Sequence, residues 1–246
     1  MKILVVITTA FTSTGGLTTV MMNYYRAMNK EGLKIDFAST NVPSQSLLDE
    51  IHVEGSEYYQ LPPRKKIVSY FYRLRRLCKN YDLLHVHGNS STSVLELMAA
   101  NWAGVKRRIV HNHTSRSQHP WINLLLHPFF LMSYTKAIAC SDAAGEWLFG
   151  NKQYQILRNA IKVSCFHYDV SVRQQIRQLL GISDSTFLVG HVGKFMDAKN
   201  HPFVIAVFAE IHRLIPNSKL LLVGDGPLRG MVETAVKNLH VEDLSL

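Results

Sequence analysis

Short runs of Val, Ile and Leu alternate along this chain with longer amphipathic stretches, and this alternation narrows the possible folds more than any other feature. The runs have the continuous apolar character of strands buried on both faces, and they occupy Lys2–Thr8, Lys34–Ala38, Leu83–Val86, Arg108–Asn112, Ala137–Ala139 and Tyr154–Leu157. Apolar residues at helical spacing lie between them, in the sets Leu17, Val20, Met21, Tyr24, Met28 and Val94, Leu95, Met98, Trp102. Strands alternating with helices predict an α/β fold with a doubly wound parallel sheet.

The same pattern begins again, in shorter form, after Asn159. It predicts helices over Val170–Leu180, Pro202–Ile215 and Leu228–Leu239, strands over Phe187–Val192 and Lys219–Val223, and a further strand within Val241–Leu246. We therefore predict a complete Rossmann-like domain over residues 1–160 and an incomplete second Rossmann-like domain over residues 161–246. The second is incomplete because so few strands cannot bury the apolar faces of their helices.

The distribution of charge points to a negatively charged partner for the first domain. Residues 1–160 contain 18 Lys and Arg against 10 Asp and Glu, whereas the remaining residues contain 9 against 8. Nearly all of the positive field therefore belongs to the first domain, where it would attract an anionic surface or ligand.

Cysteine content and apolar segments indicate where the protein resides. Cys78, Cys140 and Cys165 are odd in number and fit neither a zinc pattern nor a disulfide framework, so we expect small buried hydrophobic side chains in a reducing cytoplasm. The start of the chain lacks a secretory signal. The longest apolar stretch, Trp121–Met132, falls short of the roughly 20 residues that a membrane-spanning helix needs.

A glycine pair follows the first predicted strand, in the segment Thr12-Ser13-Thr14-Gly15-Gly16. Gly15 and Gly16 allow the backbone to approach a ligand closely, and the helix that begins here offers free N–H groups to a phosphate. The alternative is a plain strand-to-helix turn capped by Ser13 or Thr14.

Two loops of the second predicted domain carry similar features. Lys194 and Lys199 lie in a loop just before a helix that begins near Asn200, and two cations beside a helix start suit a diphosphate. The alternative is a pair of solvated lysines. Gly224 and Gly226 follow the next strand, where they either approach a nucleotide or simply form a turn.

Histidines lie near the ends of two predicted strands. The strand that begins at Arg108 ends at His111 or Asn112, which leaves His113 at the carboxyl end, where ligands bind in open α/β sheets. We therefore expect His113 to contact a phosphate or a sugar hydroxyl. Asp82, His85 and His87 share another strand, but because no further ligand converges on them we expect no metal site.

A basic segment, from Arg64 to Lys79, lies between the helical stretches predicted at Leu17–Met28 and Val94–Trp102. Its apolar residues Ile67, Tyr70, Phe71, Leu74 and Leu77 share one helical face, and its cations lie mostly elsewhere. A basic amphipathic helix suits an anionic membrane surface, which Arg73, Arg75, Arg76 and Lys79 would contact. The alternative is a packed helix with a solvated basic face. The sequence has no nucleic-acid-binding motif, so we expect no nucleic-acid partner.

A nicotinamide-dependent dehydrogenase is the rival interpretation of the glycine pair, with Asp36 as the acid that binds the ribose. The three spaced glycines of that fingerprint are missing. Six residues separate the first strand from Gly15, too many for the tight turn of that motif.

Taken in order, these motifs resemble the GT4 family of retaining glycosyltransferases, which have the GT-B fold. The resemblance covers essentially the whole chain. It rests on Gly15-Gly16, Asp82-Leu-Leu-His-Val-His-Gly88, His113, Ala137-Ile-Ala-Cys-Ser141, Leu157-Arg-Asn-Ala-Ile161, Gly193-Lys194 with Lys199-Asn200, and Val223-Gly-Asp-Gly-Pro227. The members that this chain resembles most build capsular or exopolysaccharide repeat units on a lipid carrier.

The resemblance implies a hexosyltransferase that uses a nucleoside diphosphate sugar, without a metal or other cofactor. Gly15 and Gly16 would lie beside the donor phosphates, His113 would lie near the transferred sugar, and Lys199 would neutralise the leaving diphosphate. Lys194 stands where the family usually has arginine. Lysine keeps the positive charge but lacks the bidentate fork of the guanidinium group. Ala160 replaces the usual linker glycine. The enzyme would act at the inner face of the cell membrane on a lipid-linked or oligosaccharide acceptor.

One family feature is missing. The Glu-x7-Glu pair that holds the sugar and the ribose would lie beyond residue 246, and no such pair follows Lys199. The resemblance therefore implies the first two-thirds of an enzyme, truncated or completed by a partner subunit. The alternative function is a non-catalytic module that binds an anionic membrane or a partner.

Overall fold

The computed structural model describes residues 1–117 and 119–238, which form two compact units. The first runs from Met1 to Val163 and the second begins at Ser164. This division lies three residues after the boundary placed at residue 160. Each unit has its own parallel sheet and its own apolar core.

The first unit contains a seven-stranded parallel sheet. Its strands are β1 Lys2–Ile7, β2 Lys34–Ser39, β3 Tyr58–Gln60, β4 Leu83–Gly88, β5 Arg107–Asn112, β6 Lys136–Ala139 and β7 Gln155–Ile156, in the order β3-β2-β1-β4-β5-β6-β7. Its helices are α1 Gly16–Ala27, α2 Gln45–Val53, α3 Ile67–Cys78, α4 Val94–Trp102, α5 Pro120–Leu131 and α6 Asp142–Phe149. The predicted α/β fold class is confirmed. Strand β3 was missed because it is a three-residue edge strand without a buried apolar run.

Alternate residues of the central strands pack on opposite sides of this sheet. Leu4 and Val6 of β1 belong to a core shared with α3, α4, α5 and α6. Val5 and Ile7 belong to a second core, which α1 and α2 cover. A sheet buried on both faces explains why its strands are continuously apolar.

The buried faces of two helices differ from the predicted ones. In α1 the buried residues are Thr18, Met21, Met22 and Tyr25, rather than the predicted set Leu17, Val20, Met21, Tyr24 and Met28. The hydroxyl of Tyr25 lies 2.6 Å from Ser56 Oγ, so this ring has a polar partner inside the core. In α4 the predicted Met98 and Trp102 are exposed, while Leu97, Ala100 and the carboxylate of Glu96 are buried.

Helix α3 turns part of its predicted apolar face inward. Tyr70, Leu74 and Cys78 are fully buried, but Ile67 is exposed, contrary to prediction, because it begins the helix at the rim of the core.

Of the three cysteines only Cys78 is buried. Cys140 is half-buried and Cys165 is exposed, so the expectation of buried cysteines was wrong for both.

A buried carboxylate joins α3 to α4. Glu96 Oε1 accepts a 2.7 Å hydrogen bond from the hydroxyl of Tyr70 and lies 3.0 Å from Arg64 Nε. Arg64 also donates to the carbonyl of Thr92 over 2.9 Å. Arg64, part of the basic segment, is therefore directed into this network rather than towards solvent.

The second unit contains two parallel strands, β8 Phe187–Val192 and β9 Ser218–Val223. Its helices are α7 Val170–Leu179, α8 His201–Leu214 and α9 Arg229–Asn238. The core is small and centres on Phe195, Phe208 and Leu222. The end of the last predicted helix, Leu239, and the strand expected within Val241–Leu246 lie outside the described residues. No helix in the described ranges is both long enough and apolar enough to cross a membrane.

Candidate functional site

The carboxyl ends of β1, β4 and β5 form one edge of the first unit's sheet, where the predicted site residues of this unit lie. Gly15 and Gly16 follow β1, and His113 follows β5. Strand β4 separates the two, because the sheet order places it between β1 and β5. Ligands of open α/β sheets bind outside the carboxyl ends of strands.

Gly15 and Gly16 differ in the space around them. Gly15 is the N-cap of α1 and has no side-chain cap, so capping by Ser13 or Thr14 was a wrong alternative. A Cβ atom on Gly15 would lie 3.1 Å from Thr12 Oγ1, whereas a Cβ on Gly16 would meet nothing within 4 Å. The first turn of α1 therefore presents backbone N–H groups with open space at Gly16 and no acidic side chain.

His113 is held by a second histidine. Its Nε2 shares a 2.9 Å hydrogen bond with Nδ1 of His87, and its ring centroid lies 4.1 Å from that of His111. Burial lowers the pKa of His113 to about 4, so its imidazole is neutral at pH 7. A neutral imidazole can donate or accept a hydrogen bond without adding charge to a site.

Four histidines lie together on one face of the sheet, which sequence spacing alone does not reveal. Strand pairing sets His87 opposite His111. His85 lies two residues before His87 on β4, and His113 lies two residues after His111, just past the end of β5. One ring nitrogen each from His85, His87 and His111 lies within 4.8 Å of the others. The sequence contains a His-x-His spacing in each of two segments, His85–His87 and His111–His113. Only the register between β4 and β5 shows that these two pairs lie side by side.

These histidines are neutral near pH 7. Burial lowers the pKa of His85 to about 4 and that of His111 to about 2, and it holds the pKa of His87 well below its usual value. The expectation that no further ligand converges on His85 and His87 was wrong, because a ring nitrogen of His111 lies close to both. Asp82 is not part of this group, because its carboxylate accepts a 2.7 Å bond from the backbone N–H of Lys2.

Asp36 has a structural role. Its carboxylate accepts 2.7 Å hydrogen bonds from the backbone N–H of Glu57 and from the hydroxyl of Tyr81, and its side chain is almost fully buried. It also faces the opposite side of the sheet from the histidines, because it pairs in register with Leu4. Because both carboxylate oxygens are engaged inside the protein, Asp36 is not available to bind a ribose, and the dehydrogenase interpretation loses its ribose-binding acid.

In the second unit, Lys194 and Lys199 are exposed on the segment between β8 and α8. Gly224 and Gly226 pack against the same segment. A Cβ on Gly224 would lie 2.0 Å from the carbonyl oxygen of Gly193, and one on Gly226 would lie 2.4 Å from that of Phe195. Both glycines are thus required for backbone packing between two loops.

The cations of α3 lie on its outward side. Arg73, Arg76 and Lys79 are exposed, and Arg75 is half-buried, with its Nε donating over 3.2 Å to the carbonyl of Trp102. Helix α4 contacts both α3 and α5. Helix α5 exposes large apolar side chains, namely Trp121, Ile122, Leu124, Leu125 and Phe129.

Comparisons with known proteins identify the family. The model of Glycosyltransferase Family 4 matches residues 14–162. EpsF of Bacillus subtilis (strain 168), which carries the name of a glycosyltransferase, is 27% identical over 92% of this chain and 63% of its own length. The N-acetyl-alpha-D-glucosaminyl L-malate synthase of Bacillus anthracis is 27% identical over 96% of this chain and 65% of its own.

Two further relatives extend the comparison. The UDP-Gal:alpha-D-GlcNAc-diphosphoundecaprenol alpha-1,3-galactosyltransferase of Escherichia coli is 25% identical over 67% of this chain and 45% of its own. The solved structure of Anabaena Alr3699/HepE in complex with UDP matches with a TM-score of 0.80 at 19% identity, over 100% of this chain and 68% of that one. This chain thus spans just under two-thirds of the length of the first two relatives. Since the family model matches more than half of the residues, including the glycine pair and the histidine-bearing strands, the chain belongs to Glycosyltransferase Family 4.

Proposed function

We propose that this chain belongs to an enzyme that transfers a sugar from a nucleoside diphosphate sugar to an acceptor hydroxyl group, with retention of configuration. The observation that carries the proposal is the uncapped start of α1 at Gly15 and Gly16, on the same sheet edge as the buried, neutral His113. Membership of the family supports the reaction class. The Anabaena neighbour, solved with UDP, supports a nucleotide sugar as the donor.

The proposed reaction breaks the bond between the sugar C1 and the diphosphate oxygen, which keeps the electron pair. The acceptor oxygen forms a new bond to C1 on the face from which the diphosphate departs, and its proton passes to the leaving diphosphate. Lys194 and Lys199 would stabilise the developing negative charge, so that the step requires no metal ion. Gly16 would allow close approach of a donor phosphate, and His113 would hydrogen-bond the transferred sugar.

We further propose a lipid-linked saccharide as the acceptor, in the synthesis of a cell-surface polysaccharide. The name of the Escherichia coli relative, with its diphosphoundecaprenol-linked substrate, supports this acceptor class. The relative from Bacillus anthracis is named for transfer to L-malate, so a small soluble acceptor is the competing outcome.

Nucleotide binding tests the donor half of the proposal. UDP, GDP, ADP and dTDP would each be titrated into the purified chain by calorimetry. We expect one of them to bind and Lys199→Ala to weaken it at least tenfold, while Lys237→Ala, at an exposed position of α9, leaves it unchanged. Binding of none of the four, or equal binding by both variants, would contradict the donor assignment.

A second candidate function is attachment to an anionic membrane, either alone or together with transfer. The supporting observations are the exposed cations of α3 and the exposed apolar side chains of α5, two helices that both contact α4. Cations would attract anionic lipid headgroups, and Trp121 and its apolar neighbours would enter the headgroup boundary.

Vesicle co-sedimentation tests this surface. We expect binding to vesicles with anionic lipid, and none to neutral ones at physiological salt. Arg73→Ala with Arg76→Ala should reduce binding severalfold, whereas the charge-matched pair Lys152→Ala with Lys162→Ala should not. Equal losses from both pairs would show a general charge effect and refute this surface. Vesicle binding without nucleotide binding would favour the non-catalytic module.

A further inference from the structure

We propose that His85, His87 and His111 form a binding site for one divalent transition-metal ion of the zinc, copper or nickel class. The site lies within the sheet of the first unit. It does not depend on the sugar-transfer proposal, because the ion is not placed on the donor diphosphate.

The strand register brings the three imidazoles together. His85 and His87 are two residues apart on β4 and therefore project to the same side, and His111 pairs directly with His87 on β5. One ring nitrogen from each lies within 4.8 Å of the others. Nitrogens bound tetrahedrally to zinc at 2.0–2.1 Å are about 3.4 Å apart, so shifts of about 1 Å by side-chain rotation would close the site.

Three of the six ring nitrogens of these histidines have no hydrogen-bond partner within the described part of the chain. Both nitrogens of His111 and Nε2 of His85 are buried and have no hydrogen-bond partner among the described residues. His111 is 1% exposed and His87 is 4% exposed. A buried polar group without a partner costs about 1–3 kcal/mol, and a metal ion would supply the missing partner to several of these nitrogens at once.

His113 orients one of the proposed ligands. Its Nε2 lies 2.9 Å from Nδ1 of His87. When His87 donates its Nδ1 proton to His113, the lone pair on its own Nε2 is left free to bind a metal. A metal-binding histidine usually donates its other ring N–H to an outer acceptor, and the unprotonated Nε2 of His113 would be that acceptor here. His113 would therefore link the proposed metal site to the sheet edge where it is proposed to meet the sugar.

The ligand chemistry selects the class of ion. Three imidazoles and no carboxylate suit zinc, copper or nickel, and disfavour magnesium and calcium, which prefer oxygen. All three histidines line a cavity of about 160 Å³, whose other walls are residues of α1, β1 and β2 together with Met28 and Leu157. A fourth coordination position facing this cavity would have room for water or a small ligand.

Metal titration of the chelator-treated chain, produced without a histidine tag, tests the proposal. We expect one Zn²⁺ per chain by calorimetry, and a visible absorption band on Co²⁺ addition that indicates nitrogen ligands. His111→Ala should weaken binding at least tenfold. His52→Gln, at an exposed position of α2, should leave it unchanged.

A second measurement keeps the test decisive if His111→Ala fails to fold. His85→Gln changes a half-buried position, so it is the milder variant. Zn²⁺ should raise the melting temperature of the wild-type chain and of His52→Gln, but not that of His85→Gln. Absence of Zn²⁺ binding by the wild-type chain, or equal stabilisation of all three proteins, would overturn the metal site.

Discussion

Gly15 and Gly16 are adjacent, yet the structure gives different reasons for their lack of a side chain. Gly15 is the N-cap of α1 and is crowded by Thr12 and Thr18. Gly16 is the first residue of the helix and faces open space. Packing therefore explains a glycine at Gly15 but not at Gly16, where the space is open to the phosphate that we propose.

Alanine substitutions separate the two roles. Gly15→Ala should lower the free energy of unfolding by about 1 kcal/mol, because alanine is a poor N-cap and its Cβ would press on Thr12. Gly16→Ala should leave stability within about 0.5 kcal/mol but weaken nucleotide binding at least tenfold. Urea denaturation and calorimetry measure these effects. Unchanged nucleotide affinity in Gly16→Ala would remove the phosphate role of this position.

The cysteines should differ sharply in reactivity. Burial raises the pKa of the Cys78 thiol to about 12, whereas Cys165 is exposed. Because the thiolate is the reactive form, iodoacetamide at pH 8 should label Cys165 within minutes and Cys78 only after unfolding. Mass spectrometry of proteolytic peptides locates the label. Rapid labelling of Cys78 in the native chain would contradict the packing of α3.

The position of a single residue on its strand could be predicted from the sequence, but the residues that it contacts on the next strand could not. His113 was expected at a strand end and lies there. The convergence of His111 on His85 and His87 could not be predicted, because it depends on which residues of β4 and β5 pair. Sequence spacing shows which side chains share a strand face, but it does not give the register between strands.

At the scale of secondary structure, α3 and α4 are joined by a polar network inside an apolar core. Glu96 is fully buried and is satisfied by Arg64 and Tyr70. Burial and the nearby Glu96 charge raise the pKa of Tyr70, so its hydroxyl stays protonated and donates to Glu96 at neutral pH. The network fixes the position of the basic helix against its neighbour.

Removing this carboxylate should be costly. Glu96→Ala leaves Arg64 and Tyr70 without their partner and should lower the free energy of unfolding by about 3 kcal/mol. Glu146→Ala, at an exposed position of α6, should change it by less than about 0.5 kcal/mol. Urea denaturation followed by tryptophan fluorescence measures both. Similar small losses in the two variants would mean that the network contributes little.

The elements themselves could largely be predicted, but not their orientation. Continuous runs of Val, Ile and Leu identified the buried parallel strands to within one or two residues. Helix faces were less certain, because α1 and α4 are apolar around most of their circumference. In α4 the residue that faces the core is Glu96 rather than the expected Met98. The hydrogen bonds of Glu96 to Arg64 and Tyr70 explain why a carboxylate is buried there.

At the scale of the whole molecule, the two units differ greatly in the completeness of their cores. The first unit buries both faces of a seven-stranded sheet. In the described part of the second, one small cluster packs on two strands, and Phe187, Val192 and Val223 remain exposed. The second unit should therefore be the less stable of the two.

Two spectroscopic probes can resolve this difference. Trp102, Trp121 and Trp147 all lie in the first unit, so tryptophan fluorescence reports on that unit alone. We expect urea to cause an early loss of helical circular dichroism from the second unit, before any change in fluorescence. Coincident transitions by the two probes would show that the chain unfolds as one cooperative body.

The strand lengths at the sheet edges bear on self-association. The seven-stranded sheet ends in β3 and β7, which have only three and two residues, so few unpaired backbone groups are available to another chain. Edge-to-edge pairing between the seven-stranded sheets of two copies should therefore be weak, so this sheet is not expected to seed aggregation when the protein is concentrated or stored.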